Sequence, residues 1–124
     1  MDIKKEIIQE FSLSEDNILS DEFIRENEDL MWFKEEIDHL VYVPSYMLWC
    51  LKNGEVDGNL ICEYTIRSIA EYGRAKDPEN IDLNFKFRCT PKQRELVCQF
   101  LTWCNATLEL CDNEQINRSI KHWQ

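Results

Sequence analysis

Six thiols in 124 residues make cysteine the residue type with which this chain could most readily do chemistry. Three of them, Cys89, Cys98 and Cys104, fall within the stretch CTPKQRELVCQFLTWC. Structural zinc sites use four cysteine or histidine ligands, commonly with pairs of cysteines separated by a few residues. The shortest steps here are six residues, from Cys98 to Cys104, and seven, from Cys104 to Cys111. A step of six on a helix turns the side chain through about 240 degrees, so these thiols point to different faces. We therefore expect no metal site and no cofactor.

Catalysis by a thiol would also need a base within hydrogen-bond reach, and the chain holds two histidines, His39 and His122. Asp38 precedes His39, but adjacency in sequence does not orient a catalytic pair. A carboxylate pocket formed by Glu35, Glu36 and Asp38 after the aromatic run MWF is the other acid–base candidate. Buried cysteine behaves as a small hydrophobic residue, and a run of acids on a helix is ordinarily a solvated face. We expect no catalytic residues, and a small helical enzyme using a reactive cysteine or a carboxylate pocket is the alternative.

The sequence shows no targeting or membrane-spanning pattern. Its first residues, MDIKKEIIQEF, lack the apolar run of a signal peptide. No uncharged apolar stretch approaches the roughly 18 residues that a membrane helix needs. We therefore expect a cytoplasmic protein, in which the thiols stay reduced.

Helical periodicity and capping residues predict the elements of the first forty residues. Ile3, Ile7, Ile8 and Phe11 recur at helical spacing in a first helix, and Ser20 is the N-cap of a second helix that ends near Asn27. A third helix is predicted through the stretch EDLMWFKEEIDHL. Its apolar face would consist of Leu30, Phe33, Ile37 and Leu40.

Proline and glycine divide the next part of the chain. Pro44 is expected in the first turn of an apolar helix of about ten residues, which ends before Gly54. A further helix is predicted to begin after Asn59 and to be terminated by Gly73. Residues 74–89 break the helical pattern and are predicted to be a loop.

Two more helices are predicted from their N-terminal caps. Thr90 and Gln93 form a capping-box pattern around a proline, and Asp112 is the N-cap of the last helix. The total is six or seven short helices without a convincing sheet. We therefore predict an all-α fold in a single compact domain, residues 1–124, with acidic N-terminal helices in 1–40 and a helical core in 41–124.

Part of the chain, roughly residues 30–110, resembles a family of small bacterial proteins catalogued as a domain of unknown function. The similarity consists of an aromatic–x–Pro–small–Tyr segment followed downstream by a Phe–x–x–Thr–Pro–x–Gln–Arg helix start and a Phe–Leu pair. In this sequence the matching residues are Tyr42, Pro44, Ser45 and Tyr46, then Phe87, Thr90, Pro91, Gln93, Arg94, Phe100 and Leu101. The resemblance implies a bacterial, cytosolic, mostly helical protein, and it implies no catalytic residue and no ligand.

Charge is distributed unevenly along the chain. Residues 1–40 hold 13 acids against 4 bases, a net charge of −9, whereas the whole chain carries −10. Nucleic-acid phosphates and anionic membranes would repel such a surface, and a basic protein would be attracted to it. Aromatic and large apolar residues, among them Phe23, Leu30 and Phe33, lie between the acids and could anchor a partner. The candidate partner-binding residues are Glu22, Glu26, Glu28, Asp29, Met31, Trp32, Glu35, Glu36 and Asp38.

The function predicted from this pattern is non-enzymatic protein binding. We expect an acidic inhibitor or immunity-type protein, toxin-neutralising or anti-CRISPR-like, that docks on the basic surface of a toxin or nuclease. A structural protein that forms homo-oligomers, with a homodimer as the simplest case, is a further alternative. Four bases, Lys86, Arg88, Lys92 and Arg94, form the single basic stretch, and we expect them to pair with the acidic N-terminal helices.

Overall fold

Seven α-helices and one 3₁₀ turn form the regular structure of residues 2–33, 37–54, 60–108 and 112–124, which are the residues described by the computed structural model. No strand occurs among these residues, which confirms the predicted all-α class. The elements in chain order are α1 (Ile3–Glu10), α2 (Asp21–Glu26), the 3₁₀ turn (Leu30–Trp32), α3 (His39–Asn53), α4 (Leu60–Arg74), α5 (Phe85–Arg88), α6 (Pro91–Thr107) and α7 (Asn113–Trp123).

Three helices begin at the caps that the sequence predicts. The Ser20 hydroxyl accepts a hydrogen bond from the Phe23 amide at 3.1 Å. Thr90 accepts from the Gln93 amide at 3.1 Å, and the Gln93 side chain accepts from the Thr90 amide at 2.8 Å, which completes the capping box. Asp112 accepts from the first-turn amides of α7. Each cap satisfies amides that would otherwise lack a partner and is worth about 1 kcal/mol.

The prediction of one helix through EDLMWFKEEIDHL is wrong. Residues Leu30–Trp32 form only a 3₁₀ turn, Phe33 is extended, and α3 begins at His39. The physical reason is local, because two aspartates compete for the backbone. Asp29 accepts from the amide of Met31 at 2.9 Å and Asp38 from the amide of Leu40 at 3.0 Å, so each starts a separate turn.

Pro44 lies inside α3, not in its first turn as predicted. The helix begins at His39, so it has 15 residues and Pro44 is its sixth. Proline has no amide hydrogen, and α3 therefore lacks the bond that residue 44 would have donated to the Leu40 carbonyl. The helix continues because residues 43 to 50 are all buried, so packing outweighs the local penalty. It ends at Asn53, before Gly54, as predicted.

Residues 74–89 are not entirely loop, because α5 forms within them. Its first residue, Phe85, is fully buried, with ring centroids 5.6 Å from Tyr72 and 5.7 Å from Trp123. The next residue, Lys86, donates from Nζ to the carbonyls of Gly73 at 3.0 Å and His122 at 3.1 Å. This one ammonium therefore caps the C-terminal ends of both α4 and α7.

Gly73 has a different role from the predicted helix stop. It lies one residue before the end of α4, and a Cβ atom placed on it would come within 2.7 Å of the Trp123 indole nitrogen. The absence of a side chain is what allows α7 to approach α4 this closely. The predicted cap of α4, Asn59, lies outside the described residues.

The acidic N-terminal third packs against the rest of the chain. Helix α1 lies against α6 and α3, α2 lies against α3, and the 3₁₀ turn contacts α3 and α4. The buried side chains form one cluster that includes residues from Ile7 to Trp123.

Candidate functional site

The candidate surface begins on α2, where one acid is already engaged within the fold. Asp21 accepts a hydrogen bond from the indole nitrogen of Trp49 on α3. Its other carboxylate oxygen forms an ion pair with Arg25 at 2.9 Å, and the Arg25 guanidinium lies 5.8 Å from the Trp49 ring centre. Asp21 therefore attaches α2 to α3. Sequence reasoning missed this role of Asp21 and Arg25, although their i, i+4 spacing signals an ion pair.

Two acids of α2 remain at the surface. Glu22 and Glu26 are exposed, and neither forms an ion pair with a base in the part of the chain that the structure describes. They are one helical turn apart and so share a face. Glu28 and Asp29 follow them and are half-buried. These four residues, Glu22, Glu26, Glu28 and Asp29, we call the acidic face.

Trp32 stands next in the chain with 63% of its surface exposed, the largest exposure recorded for a large hydrophobic side chain among the described residues. The 3₁₀ turn explains this position. Leu30, its first residue, is completely buried, Met31 is half-buried, and Asp29 fixes the turn through the Met31 amide. Because Leu30 is buried at the start of the turn, the indole of Trp32 at its end is exposed.

The remaining aromatics of this segment pack internally. Phe23, Phe33 and Tyr42 form a cluster with ring centroids 5.4 to 6.0 Å apart. Phe23 and Phe33 are half-buried there, and Leu30 is in the core. The burial of Phe23, Leu30 and Phe33 does not support the expectation that they anchor a partner. Trp32 is the aromatic of this segment that remains accessible.

Asp38 is exposed but has internal partners. It caps α3 and lies 3.9 Å from the Arg88 guanidinium. Lys92 similarly lies 3.4 Å from Glu6 on α1. Pairing of the basic stretch with N-terminal acids thus holds for Arg88 and Lys92. Lys86 caps two helices instead, and Arg94 forms no ion pair with a described carboxylate. Glu35 and Glu36, the other predicted partner-binding acids, lie outside the described residues.

Four of the five described thiols, those of Cys50, Cys62, Cys89 and Cys104, are buried, and Cys98 is half-buried. Cys50 is completely buried, and burial first, then Cys62 and Cys104, raise its pKa. Burial raises the pKa of Cys89 to about 12, and burial followed by the charge of Glu95 raises the pKa of Cys98. Because the thiolate is the nucleophile and the metal ligand, these shifts favour packing over chemistry. Cys111 lies outside the described residues.

The described histidine of α3 also faces the core. His39 is 2% exposed, and its ring centroid lies 5.5 Å from that of Tyr72. Burial is the main cause that lowers its pKa, followed by the charge of Arg88. The imidazole is therefore held neutral. In the described segments of the chain, no three His, Cys, Asp or Glu side chains are placed to hold a metal ion.

Comparison with known proteins adds no family to this picture. No family model matches the chain, and no curated protein and no solved structure matches it either. The resemblance of residues 30–110 to a bacterial family therefore stays a prediction. Within the described residues, none of the helices has the length and apolar character needed to cross a bilayer.

Proposed function

We propose that this protein is a non-enzymatic binding protein whose acidic face and Trp32 dock on the basic surface of another protein. The observation that carries the proposal is the 63% exposure of Trp32, which lies three residues after Asp29 of the acidic face. Tryptophan is among the residues that contribute most to binding when a partner covers them. A large exposed aromatic in a segment of net charge −9 combines an apolar anchor with long-range attraction.

The charge of the acidic face defines the class of partner. Glu22 and Glu26 would accelerate association with a cationic surface and would oppose contact with nucleic acid or an anionic membrane. Toxins and nucleases carry basic clefts that contact phosphates, and an acidic surface can occupy such a cleft. An immunity-type or anti-CRISPR-like inhibitor, acting in the cytoplasm, is the concrete form of this proposal.

Affinity capture from the native host, followed by binding measurements with the purified partner, tests the proposal. We expect the dissociation constant to rise steeply with salt, and to rise about tenfold or more in Trp32→Ala. Glu22→Lys with Glu26→Lys should weaken binding mainly through slower association. The matched controls are Leu60→Ala, a hydrophobic residue 46% exposed on α4, and Glu114→Lys on α7. A partner whose affinity is unaffected by salt and by these acidic-face changes would contradict the proposal.

Self-association through exposed hydrophobic side chains is the competing proposal. Ile81 and Phe87, in the segment around α5, are 53% and 44% exposed and add to the hydrophobic surface that a second copy could cover. Sedimentation of the purified protein separates the two uses. A dimer that dissociates in Trp32→Ala would assign this surface to a second copy of the chain instead.

A further inference from the structure

A cavity of about 380 Å³ lies beside the N-terminal half of α6, remote in sequence from the acidic face. One face of α6 supplies Pro91, Arg94, Glu95 and Cys98, at the i, i+3, i+4 and i+7 spacing that aligns side chains on a helix. The end of α7 closes the other side with Trp123 and Gln124. Sites for small molecules occupy roughly 300 to 1,000 Å³, so this cavity has room for a ligand of modest size.

Arg94 supplies the charge in this cavity. Its Nε is buried and has no hydrogen-bond partner, and the guanidinium forms no ion pair with any carboxylate of the described residues. Guanidinium groups bind carboxylates through paired, charge-assisted hydrogen bonds. The N-terminal end of α6, whose helix dipole is positive there, adds to the attraction for an anion.

Glu95 limits how much negative charge the cavity can accept. Its carboxylate lines the same space and lies 3.8 Å from Lys92, which also pairs with Glu6. Because Lys92 pairs with both Glu6 and Glu95, it neutralises the charge of Glu95 only in part. The remaining negative charge of Glu95 would repel a ligand with two negative charges. Pro91 and Cys98 supply surface suited to an apolar body, and Trp123, only 1% exposed, adds a small edge.

We propose that this cavity binds a small monocarboxylic acid with an apolar body, and that Arg94 holds its carboxylate. Arg94 is the binding residue, Glu95 selects against dianions, and the surrounding apolar groups contact the rest of the ligand. This site is independent of the acidic face, so either proposal can fail without the other.

The test is a titration with 4-(trifluoromethyl)benzoate, followed through the fluorine resonance of the probe and the indole N–H resonance of Trp123. We expect saturable binding in the millimolar range or tighter, and binding of the uncharged amide, 4-(trifluoromethyl)benzamide, about tenfold weaker. Arg94→Gln should bind acid and amide equally. The control Arg67→Gln, on exposed α4 surface, should keep the preference for the acid.

Three further measurements sharpen the outcome. Glu95→Gln should strengthen binding of the acid, and an unchanged or weaker affinity would contradict the role of Glu95. In a Cys111→Ser background, the acid should slow alkylation of Cys98. Failure to shift the Trp123 resonance at the solubility limit, or equal affinities for acid and amide in the parent protein, would overturn the proposal. Tighter binding of N-acetyl-Gly-Leu than of the benzoate would assign the cavity to a peptide C-terminus, and would overturn the small-molecule assignment.

Discussion

Trp123 donates its indole hydrogen to the carbonyl of Ile69, with 2.9 Å between nitrogen and oxygen, and this bond joins the end of α7 to α4. The bond is fully buried, and its carbonyl belongs to a helix whose next turn contains Gly73. Close approach and hydrogen bonding are therefore parts of one contact. A substitution at either Gly73 or Trp123 should therefore change the free energy of unfolding through this one contact between α4 and α7.

Gly73→Ala should lower the free energy of unfolding. Alanine would gain up to about 1 kcal/mol in helix propensity, but its Cβ would meet the indole at 2.7 Å, and overpacking costs about 1–3 kcal/mol. Urea denaturation measures the net effect. The same substitution in a Trp123→Phe background is the control, since the smaller ring leaves room. An equal loss in both backgrounds would show that the ring contact is not the cause.

Removal of the α6 cap should destabilise the protein locally. Thr90→Ala deletes the hydroxyl that accepts from the Gln93 amide, and we expect a loss of about 1 kcal/mol. Thr102→Ala in the same helix is the matched control. Its hydroxyl bonds the Cys98 carbonyl at an exposed position, so removal should be close to neutral. We would measure both variants by chemical denaturation. Coincident midpoints of Thr90→Ala and Thr102→Ala would contradict this prediction.

Stability should decrease on acidification because of His39. The pKa of His39 is lowered from 6.5 in the folded state, so below that pH the unfolded chain binds the proton more readily than the folded chain. The contribution of neutral His39 to the free energy of unfolding is fully present above pH 6.5. It is lost as the pH falls toward the folded-state pKa, where the free energy of unfolding changes by at most about 1.4 kcal/mol per pH unit. Denaturation between pH 7 and pH 5 should be less pH-dependent in His39→Phe. An unchanged pH dependence in His39→Phe would contradict this prediction.

The thiols should react slowly in the folded protein. In a Cys111→Ser variant, titration near neutral pH with a chromogenic disulfide should label Cys98 first, because the other four described cysteines are buried. All five should react promptly in denaturant. A single cysteine that reacts faster than an unfolded one would instead support the alternative of a thiol enzyme.

The parts of this fold that could be predicted from sequence depend on short-range interactions. Ser20, Thr90 and Asp112 act on amides two or three residues away, so the residue types alone locate the helix starts. The failures at residues 30–40 and at Pro44 have different origins. At residues 30–40 the caps of Asp29 and Asp38 start two separate turns where the apolar spacing predicts one helix. At Pro44 the burial of neighbouring residues, which the local pattern does not contain, decides the conformation.

The candidate surfaces show the same division. The acids of residues 1–40 are visible in the sequence, and Trp32 is among the partner-binding residues predicted from it. Leu30 is also counted there as a possible anchor, and only the structure shows that Trp32 is exposed and Leu30 is buried. The cavity beside Arg94 requires α7 to lie next to α6, and no spacing within either helix indicates that placement. Of the acids predicted to bind a partner, Asp38 proves to have structural partners, as does Asp21, whose role the sequence did not reveal.

Lys86 couples the fraying of two helix ends, those of α4 and α7. Because one ammonium group bonds the last carbonyls of both α4 and α7, fraying at either terminus releases the same contact and loosens the other. The amides of these two terminal turns are thus expected to exchange with solvent deuterium as a single cooperative unit, although 36 residues separate Lys86 from His122 in the chain.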